Sequence, residues 1–211
     1  MFRKLLIISL LSIVYACVRN ENSYFENGNI KQELKYKGGE LDGVQKWYYE
    51  NGNQSSLYTY KNGVLEGKSA QWNLNGTISK ESNYKSGLLE GETISYDKSG
   101  NKISIETYKQ NKKYGLYQTW HRNGMLMIEG WFKNNLIDSS WNYFDEYGRI
   151  ITQGKFNNGT GILVSWFPNG KLMRKTMYKS NEKDGKELIY NYKGEIDKIK
   201  IYKNGKFIAE K

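Results

Sequence analysis

A period of 24 residues runs through this chain and constrains its fold more than any other feature of the sequence. Residues 44–67 read VQKWYYENGNQSSLYTYKNGVLEG, and residues 68–91 read KSAQWNLNGTISKESNYKSGLLEG. Both segments carry an aromatic residue at position 5, Gly at position 9, Tyr-Lys at positions 17 and 18, and Gly at positions 20 and 24. Such self-similarity indicates an array of supersecondary units that are stable only when they stack on their neighbours.

Three positions of the repeat hold the same kind of residue in every copy. Position 9 holds Gly28, Gly52, Gly76, Gly100, Gly124, Gly148, Gly170 and Gly194. Position 5 holds Tyr24, Tyr48, Trp72, Tyr96, Trp120, Phe144, Trp166 and Tyr190. Position 17 holds Tyr36, Tyr60, Tyr84, Tyr108, Phe132, Phe156, Tyr178 and Tyr202. The columns divide the chain into repeats at residues 20–43, 44–67, 68–91, 92–115, 116–139, 140–161, 162–185 and 186–209, of which the sixth has 22 residues.

The residues between these columns predict a β-hairpin in every repeat. Asn-Gly at positions 8 and 9, between runs rich in Tyr and β-branched residues, is typical of a tight hairpin turn, because both residues tolerate positive φ. We therefore expect an all-β fold, an elongated antiparallel meander of about eight hairpins in a single twisted sheet, preceded by an N-terminal signal helix. Side-chain alternation predicts that positions 5, 11 and 17 share one face and that positions 2, 4, 6 and 16 lie on the other.

The first residues, MFRKLLIISLLSIVYAC, have the layout of a secretory signal peptide. Two basic residues precede an apolar run that is too short to span a bilayer as a stable anchor. The run ends in VYAC, which resembles the bacterial lipobox. The resemblance implies a signal peptide at residues 1–16, lipid on Cys17 as the membrane anchor, a tether at residues 17–23 and a location at the outer membrane or cell surface of a bacterium. Ordinary cleavage, which would leave Cys17 as a free thiol, is the alternative.

The columns also resemble a known repeat family. An aromatic residue, Asn-Gly, Tyr-Lys-(Asn/Ser/Gly)-Gly and Leu-(Asp/Glu)-Gly, in this order, are similar to the bacterial variant of the MORN repeat, whose tandem copies are often labelled YwqK-family antitoxins. The resemblance covers about residues 20–209 and implies membrane-lipid contact, scaffolding or homodimer formation. The departures are Asn111, Asn135 and Asn181 for Gly at position 20, Ser139 for Gly at position 24, and a shortened loop at residues 157–161.

Position 18 carries a row of lysines: Lys37, Lys61, Lys85, Lys109, Lys133, Lys179 and Lys203. In a sheet these residues would line one edge about 10 Å apart, because each repeat contributes two strands. Such a row could contact anionic headgroups or phosphates. The same connections carry Asp42, Glu66, Glu90, Asp138 and Asp184, so a solvated and partly self-paired turn edge is the alternative.

Repeats five to seven place aromatic residues at positions that are mostly polar elsewhere. These residues are Tyr117, Trp131, Trp141, Tyr143 and Phe167. A polar sheet face that is locally aromatic predicts a patch for a protein or glycan partner, because rings can stack on both. Packing within the chain, or against a second copy, is the alternative.

The sequence does not indicate an enzyme. It has one Cys and one His, so it can form neither an internal disulfide nor a Cys/His zinc cluster, and His121 is expected at a turn surface. We expect no catalytic residue, metal or cofactor, and export argues against nucleic acid despite a net charge of +10. The favoured function is a binding or scaffold lipoprotein. The alternatives are an antitoxin or immunity protein and, third, a polysaccharide hydrolase that uses paired carboxylates.

Overall fold

The computed structural model describes residues 17–211, and all of its regular elements are β-strands. The predicted signal peptide and signal helix lie outside these residues. The strands are β1 (Val18–Tyr24), β2 (Ile30–Lys37), β3 (Glu40–Leu41), β4 (Gly43–Tyr48), β5 (Gln54–Lys61), β6 (Val64–Trp72), β7 (Ile78–Lys85), β8 (Leu88–Leu89), β9 (Gly91–Tyr96), β10 (Lys102–Lys109), β11 (Lys112–Trp120), β12 (Leu126–Lys133), β13 (Leu136–Phe144), β14 (Ile150–Asn157), β15 (Thr160–Trp166), β16 (Leu172–Lys179), β17 (Glu182–Tyr190), β18 (Ile196–Lys203) and β19 (Lys206–Glu210).

The strands form one open antiparallel sheet in which each strand pairs with its neighbours in the chain, from β1 to β19. Strands β3 and β4 both pair with β2, and β8 and β9 both pair with β7, so each of these pairs is one interrupted strand. The predicted all-β meander is confirmed. One correction concerns the tether: β1 begins at Val18, so the residues after Cys17 already belong to the sheet.

The Asn-Gly turn differs from the prediction. In the second repeat, the Tyr49 amide donates to the Asn53 carbonyl (2.8 Å) and the Gly52 amide donates to the Tyr49 carbonyl (2.9 Å). This is a three-residue loop in which only the glycine has positive φ, +86° for Gly52. The Asn51 side chain instead accepts a hydrogen bond from the Asn53 amide at 3.0 Å, so Asn is selected here as a cap.

The second connection is the tight one. Positions 19 and 20 both have positive φ, for example 48° at Asn62 and 74° at Gly63, as a two-residue type I′ turn requires. Two further residues, at positions 23 and 24, form a bulge shortly after this turn, within β6 in the second repeat. Its glycine, such as Gly67 with φ +99°, adopts the left-handed region.

A second irregularity changes which residues share a face. In the second repeat, Trp47 pairs with Ser56 but the next residue, Tyr48, pairs with Gln54, so Ser55 is an extra residue. A shift of one residue moves the following side chains to the other face. Positions 5 and 11 share a face as predicted, and the structure pairs them directly, but position 17 is on the other face. The prediction that positions 5 and 17 share a face was wrong.

The two faces are therefore composed differently from the prediction. We call the face of positions 5, 11, 14 and 16 the ring face, because it carries the eight rings of position 5. We call the face of positions 2, 4, 15 and 17 the packed face, because it contains nearly all of the buried side chains. The buried side chains of the packed face are Gln45, Ser69, Ser82, Thr93, Thr119, Trp141, Phe156, Ser165, Thr176 and Glu187.

The short sixth repeat lacks the bulge at positions 23 and 24. Phe156 pairs with Gly161 and Lys155 with Ile162 without a register shift. Because two residues are missing, an even number, the side chains keep their faces. The Asn181 side chain of the next repeat spans the short loop: its Oδ1 accepts from the Ile137 amide (2.8 Å) and its Nδ2 donates to the Asn135 carbonyl (2.8 Å).

We predict that Asn181→Gly lowers the free energy of unfolding by about 1–2 kcal/mol, because it removes both side-chain hydrogen bonds. The left-handed backbone, with φ 71°, suits Gly equally well. Urea unfolding followed by circular dichroism measures the effect. Asn111→Gly is the matched control, since Asn111 accepts one such bond, from the Leu89 amide at 2.7 Å. An equal loss of stability in both variants would contradict the bridging role.

Candidate functional site

The largest aromatic cluster lies on the packed face around Trp141, which is 5% exposed. The Trp141 ring centroid is 5.1 Å from that of Phe132, 5.6 Å from Tyr117 and 6.5 Å from Tyr143. Burial raises the pKa of the Tyr143 and Tyr117 hydroxyls above their usual value. Three residues of the predicted partner patch are thus in mutual contact, but they form the interior of a packed cluster.

Glycine at position 15 of the fifth repeat makes room for this tryptophan. A Cβ on Gly130 would lie 2.3 Å from the indole ring of Trp141. The indole Nε1 donates to the Trp131 carbonyl at 3.1 Å, so the polar atom of this buried ring is satisfied. The third and fourth repeats have the small residues Ser82 and Thr93 at these positions, and the hydroxyls of the two are 3.2 Å apart. A large ring and a missing side chain therefore occur together.

The other two predicted patch residues lie elsewhere. The Trp131 side chain points to the ring face, because the neighbouring Phe132 points to the packed face, and it is 48% exposed. Phe167 lies at a turn, where its ring stacks on that of Tyr192 with the centroids 4.1 Å apart. The five residues therefore do not form one patch. Adjacent residues of a strand point to opposite faces, so the sequence already places Trp131 and Phe132 on different faces. The extra residue in each hairpin was not predicted, however, and it changes which repeat positions share a face with each of them.

We predict that Gly130→Ser destabilises the protein by about 1–3 kcal/mol, because its Cβ overlaps the Trp141 ring. The double variant Gly130→Ser, Trp141→Thr recreates the Ser82–Thr93 pair, and there the Gly130 change is expected to cost less than about 0.5 kcal/mol. A double-mutant cycle by urea unfolding measures the coupling. Additive effects of the two changes would refute the close ring–glycine contact.

Two lysines replace the aliphatic residue that position 22 usually carries on the packed face. Lys113 Nζ lies 2.8 Å from Glu106 Oε1, and Lys183 Nζ lies 2.7 Å from Glu187 Oε1. Each carboxylate also accepts from a tyrosine hydroxyl, Tyr108 for Glu106 and Tyr202 for Glu187. Burial works against ionisation of both carboxyls, but the lysine and hydroxyl partners outweigh it, so the pKa of Glu106 and of Glu187 is lowered.

We predict that Glu187, which is 3% exposed, contributes to the free energy of unfolding in a pH-dependent way. Because its pKa is lower in the folded chain, its contribution is complete above the ordinary pKa of Glu and disappears as the pH falls through the lowered value. Glu187→Gln should therefore destabilise the protein by about 1–3 kcal/mol at pH 7 and much less at pH 3. Urea titrations at both pH values measure this.

Glu21→Gln is the control for this prediction. Glu21 has the same repeat position, but its ion pair with Arg19 is exposed to solvent on both sides. Exposed pairs contribute little to stability, so this variant should change the free energy of unfolding by less than about 0.5 kcal/mol at either pH. A pH-independent effect of Glu187→Gln would contradict the ionic role.

The lysines of position 18 follow one turn edge of the sheet, and all seven are exposed. The carboxylates of position 23 mostly bind backbone, since each accepts from the turn amide of the next repeat, as in Ser86 N to Glu66 Oε2 at 2.6 Å. The turn amides of Asn158 and Asn204 chiefly lower the pKa of Asp138 and Asp184 in this way. One ion pair joins the two rows, Lys203–Asp184 at 3.2 Å.

The ring face carries a row in which aromatic and aliphatic residues alternate from strand to strand, interrupted by Gln54 opposite Tyr48 and by Lys102 opposite Tyr96. Trp72 lies opposite Ile78, Trp120 opposite Leu126, and Trp166 opposite Leu172. Polar groups border the row at its N-terminal end, where the Tyr48 hydroxyl donates to Glu33 (2.9 Å), which also pairs with Lys46. In repeats five to eight the face exposes large apolar side chains: Trp131, Ile150, Met177 and Ile196.

Asn side chains bridge successive turns at the Asn-Gly edge. The amide of position 8 donates to the carbonyl of position 7 in the next repeat: Asn27 to Glu50 (2.9 Å), Asn51 to Leu74 (3.0 Å), Asn75 to Lys98 (3.1 Å) and Asn123 to Glu146 (2.9 Å). His121 lies at this edge as expected, but it is half-buried, with Nε2 2.9 Å from the Phe144 carbonyl oxygen. It therefore joins repeats five and six.

Within residues 17–211 the bridge is missing at three junctions: between repeats four and five, between repeats six and seven, and between repeats seven and eight, where Asn169 only accepts from the Lys171 amide. A cleft opens at the first two. Position 8 is Ser99 in the fourth repeat and Tyr147 in the sixth, and both turns are instead capped from position 6, by Asp97 and Asp145. One cleft lies between repeats four and five and the other between repeats six and seven. Each has a position 5 tryptophan in its wall, Trp120 or Trp166. Sequence reasoning missed both clefts, although the loss of Asn at position 8 marks them.

Within residues 17–211, no group of His, Cys, Asp or Glu side chains is arranged to hold a metal ion. The same residues form no helix that is long and apolar enough to cross a membrane. Cys17 is exposed, and its carbonyl accepts a hydrogen bond from the Gly38 amide at 3.3 Å.

A family model described as "MORN repeat variant" matches residues 20–37, 41–62, 89–110 and 160–180. Each matched segment includes the aromatic residue of position 17: Tyr36, Tyr60, Tyr108 or Tyr178. The chain is a MORN-variant repeat protein. The match confirms the resemblance drawn from the repeated columns, and proteins built from MORN repeats are generally non-catalytic. A sheet of MORN-variant hairpins fits a binding or scaffold module.

No curated protein matches the chain. Among solved structures, the crystal structure of TcdB2-TccC3-TEV is 12% identical over 89% of this chain and 13% of that chain, with a TM-score of 0.24. The Photorhabdus luminescens Tc holotoxin pore is 12% identical over 92% of this chain and 14% of that chain, with a TM-score of 0.23. The MORN-variant chain thus spans about an eighth of the length of these proteins, and no inference is drawn from them.

Proposed function

We propose that this MORN-variant protein is a non-catalytic binding or scaffold lipoprotein of the bacterial envelope, whose ring face contacts a protein or glycan partner. The observation that carries the proposal is the uncovered ring face. Its rings form one row along the sheet, and Trp131 beside that row is 48% exposed. Exposed aromatic residues in a contiguous apolar surface are typical of interaction sites.

The position of Cys17 supports anchoring at one edge of the sheet. Cys17 directly precedes β1, and Val18 pairs with Lys37, the first lysine of the position 18 row. Lipid on Cys17 would therefore hold this lysine edge beside the membrane, with only one peptide bond between the anchor and the sheet. Lysines near an anionic surface add about 1 kcal/mol each to membrane binding. Both faces of the sheet would remain open to a partner.

Antitoxin or immunity function is the second candidate, and it uses the same surface. The aromatic and aliphatic ring face suits a protein partner as well as a glycan, because Trp and Tyr supply large contact area at low conformational cost. The identity of the captured partner separates the two candidates: a toxin encoded beside this gene would favour the antitoxin, and an envelope protein or glycan would favour the scaffold.

We predict that Trp131→Ala weakens capture of the partner from envelope extracts by about tenfold or more, because it removes an exposed ring from the ring face. Far-UV circular dichroism should not change, since Trp131 is not part of the packed cluster. Pull-downs with the chain from Cys17 onward, quantified by mass spectrometry, measure the effect. Tyr147→Ala is the control, because Tyr147 is 79% exposed but lies at a turn. Equal capture by all three proteins would refute the ring face as the binding surface.

A further inference from the structure

The cleft between the fourth and fifth repeats lies where two side-chain bridges of the Asn-Gly edge, from positions 8 and 10, are lost. Asn75 and Thr77 of the third repeat both donate to the Lys98 carbonyl. One repeat later, within the described residues, Ser99 makes no such bond to the Arg122 carbonyl, and the Asn101 side chain donates to Asp97 instead. Asp97 caps the turn in place of the position 8 Asn side chain, because it accepts hydrogen bonds from the amides of Ser99 (2.8 Å) and Asn101 (2.9 Å). The turn thus keeps its shape while the bridges to the next turn are lost.

The cleft has an aromatic wall and a cationic rim. It encloses about 410 Å³ and is lined by Asn101, Lys102, Trp120, His121, Arg122, Asn123 and Gly124. Lys102 Nζ lies 5.6 Å from the centroid of the Trp120 ring. Lys98 and Arg122 extend the rim into an adjoining depression, which also contains Asp97.

The cations of the rim are not neutralised by ion pairs. Among residues 17–211, no carboxylate lies within ion-pair distance of Lys98, Lys102 or Arg122. The Asp97 carboxylate is engaged by its own turn, and the Asn101 side chain and amide lower its pKa. The cleft between repeats six and seven differs, because there Arg149 pairs with Asp145 at 2.8 Å.

We propose that the cleft between repeats four and five binds an acidic sugar, whose ring stacks on Trp120 and whose carboxylate pairs with Lys102 and Arg122. A concave site with one aromatic wall and a few convergent polar groups is the usual form of a small-ligand site. Arg offers two parallel donors to a carboxylate, and the Asn101 side chain, whose Nδ2 donates to Asp97, offers its carbonyl oxygen to a sugar hydroxyl. The proposal rests on the proposed binding function and names a glycan class for it.

The experiment follows the indole Nε1–H signal of Trp120 by ¹⁵N NMR in the chain from Cys17 onward, with Trp120→Phe identifying the signal. The probe is trigalacturonate, with cellotriose, acetate and uridine monophosphate as comparisons. We expect trigalacturonate to shift the Trp120 signal at millimolar concentration and to bind about tenfold more tightly than any of the three comparisons. No shift, or equal or tighter binding of acetate or the nucleotide, would overturn the assignment.

Three variants test the site itself. Lys102→Ala and Arg122→Ala should each weaken trigalacturonate binding about tenfold, because each removes a charge-assisted hydrogen bond. Ser99→Asn keeps every charge but restores the Asn bridge to the Arg122 carbonyl. It should abolish binding and raise Tm by about 2 °C. Unchanged binding in Ser99→Asn would overturn the cleft as the site.

Lys31→Ala is the matched control. Lys31 also lies over an aromatic ring, with Nζ 5.8 Å from the Phe25 centroid, but at a junction where the Asn27 bridge is intact. This variant should bind like the wild type, and an equal loss would show that only net charge matters and would overturn the proposal. The result is separable from the proposed function: if Trp131→Ala still abolishes capture while the cleft variants bind normally, the cleft assignment alone fails.

Discussion

A sheet of one layer must bury its apolar side chains against neighbours in the same face, and this constraint explains most of the structure. Residues 17–211 form no second layer against which a ring can pack, so space for a large side chain has to come from a small one beside it. Trp141 is 5% exposed only because Gly130 has no side chain. Phe156 is buried over Gly154 in the same way, with a Cβ on Gly154 only 2.5 Å from the ring.

The same constraint explains why each of these departures from the repeat occurs together with a neighbouring change that compensates for it. Lys113 and Lys183 replace aliphatic residues only where a carboxylate lies beside them, because an unpaired buried ammonium group would be costly. Asn181 replaces Gly where the sixth repeat is short, and its side chain spans that repeat. The missing residues number two, so the alternation of faces survives.

The surfaces available for binding are those that this packing leaves exposed. The packed face fills itself with its own rings, whereas the ring face keeps Trp131 and its apolar neighbours accessible. The two turn edges also differ. One carries the exposed lysines next to Cys17, and the other is closed by Asn bridges at four of its seven junctions. Partner binding is therefore assigned to the ring face and membrane contact to the lysine edge. The small-ligand cleft opens where the ring face meets the Asn-Gly edge, since Trp120 and Lys102 occupy positions 5 and 11. Substitutions can separate the three roles.

The sequence by itself determined the all-β meander, because glycines and aromatics at a fixed period permit only hairpins that stack on one another. It also determined that positions 5 and 11 share a face, since they are an even number of residues apart. Only the tertiary structure decided that position 17 lies on the other face and that Trp141 is buried while Trp131 is not. The reason is the single extra residue in each hairpin: Ser55 has no partner, and an unpaired residue leaves no mark in composition or period, yet it reverses every side chain beyond it.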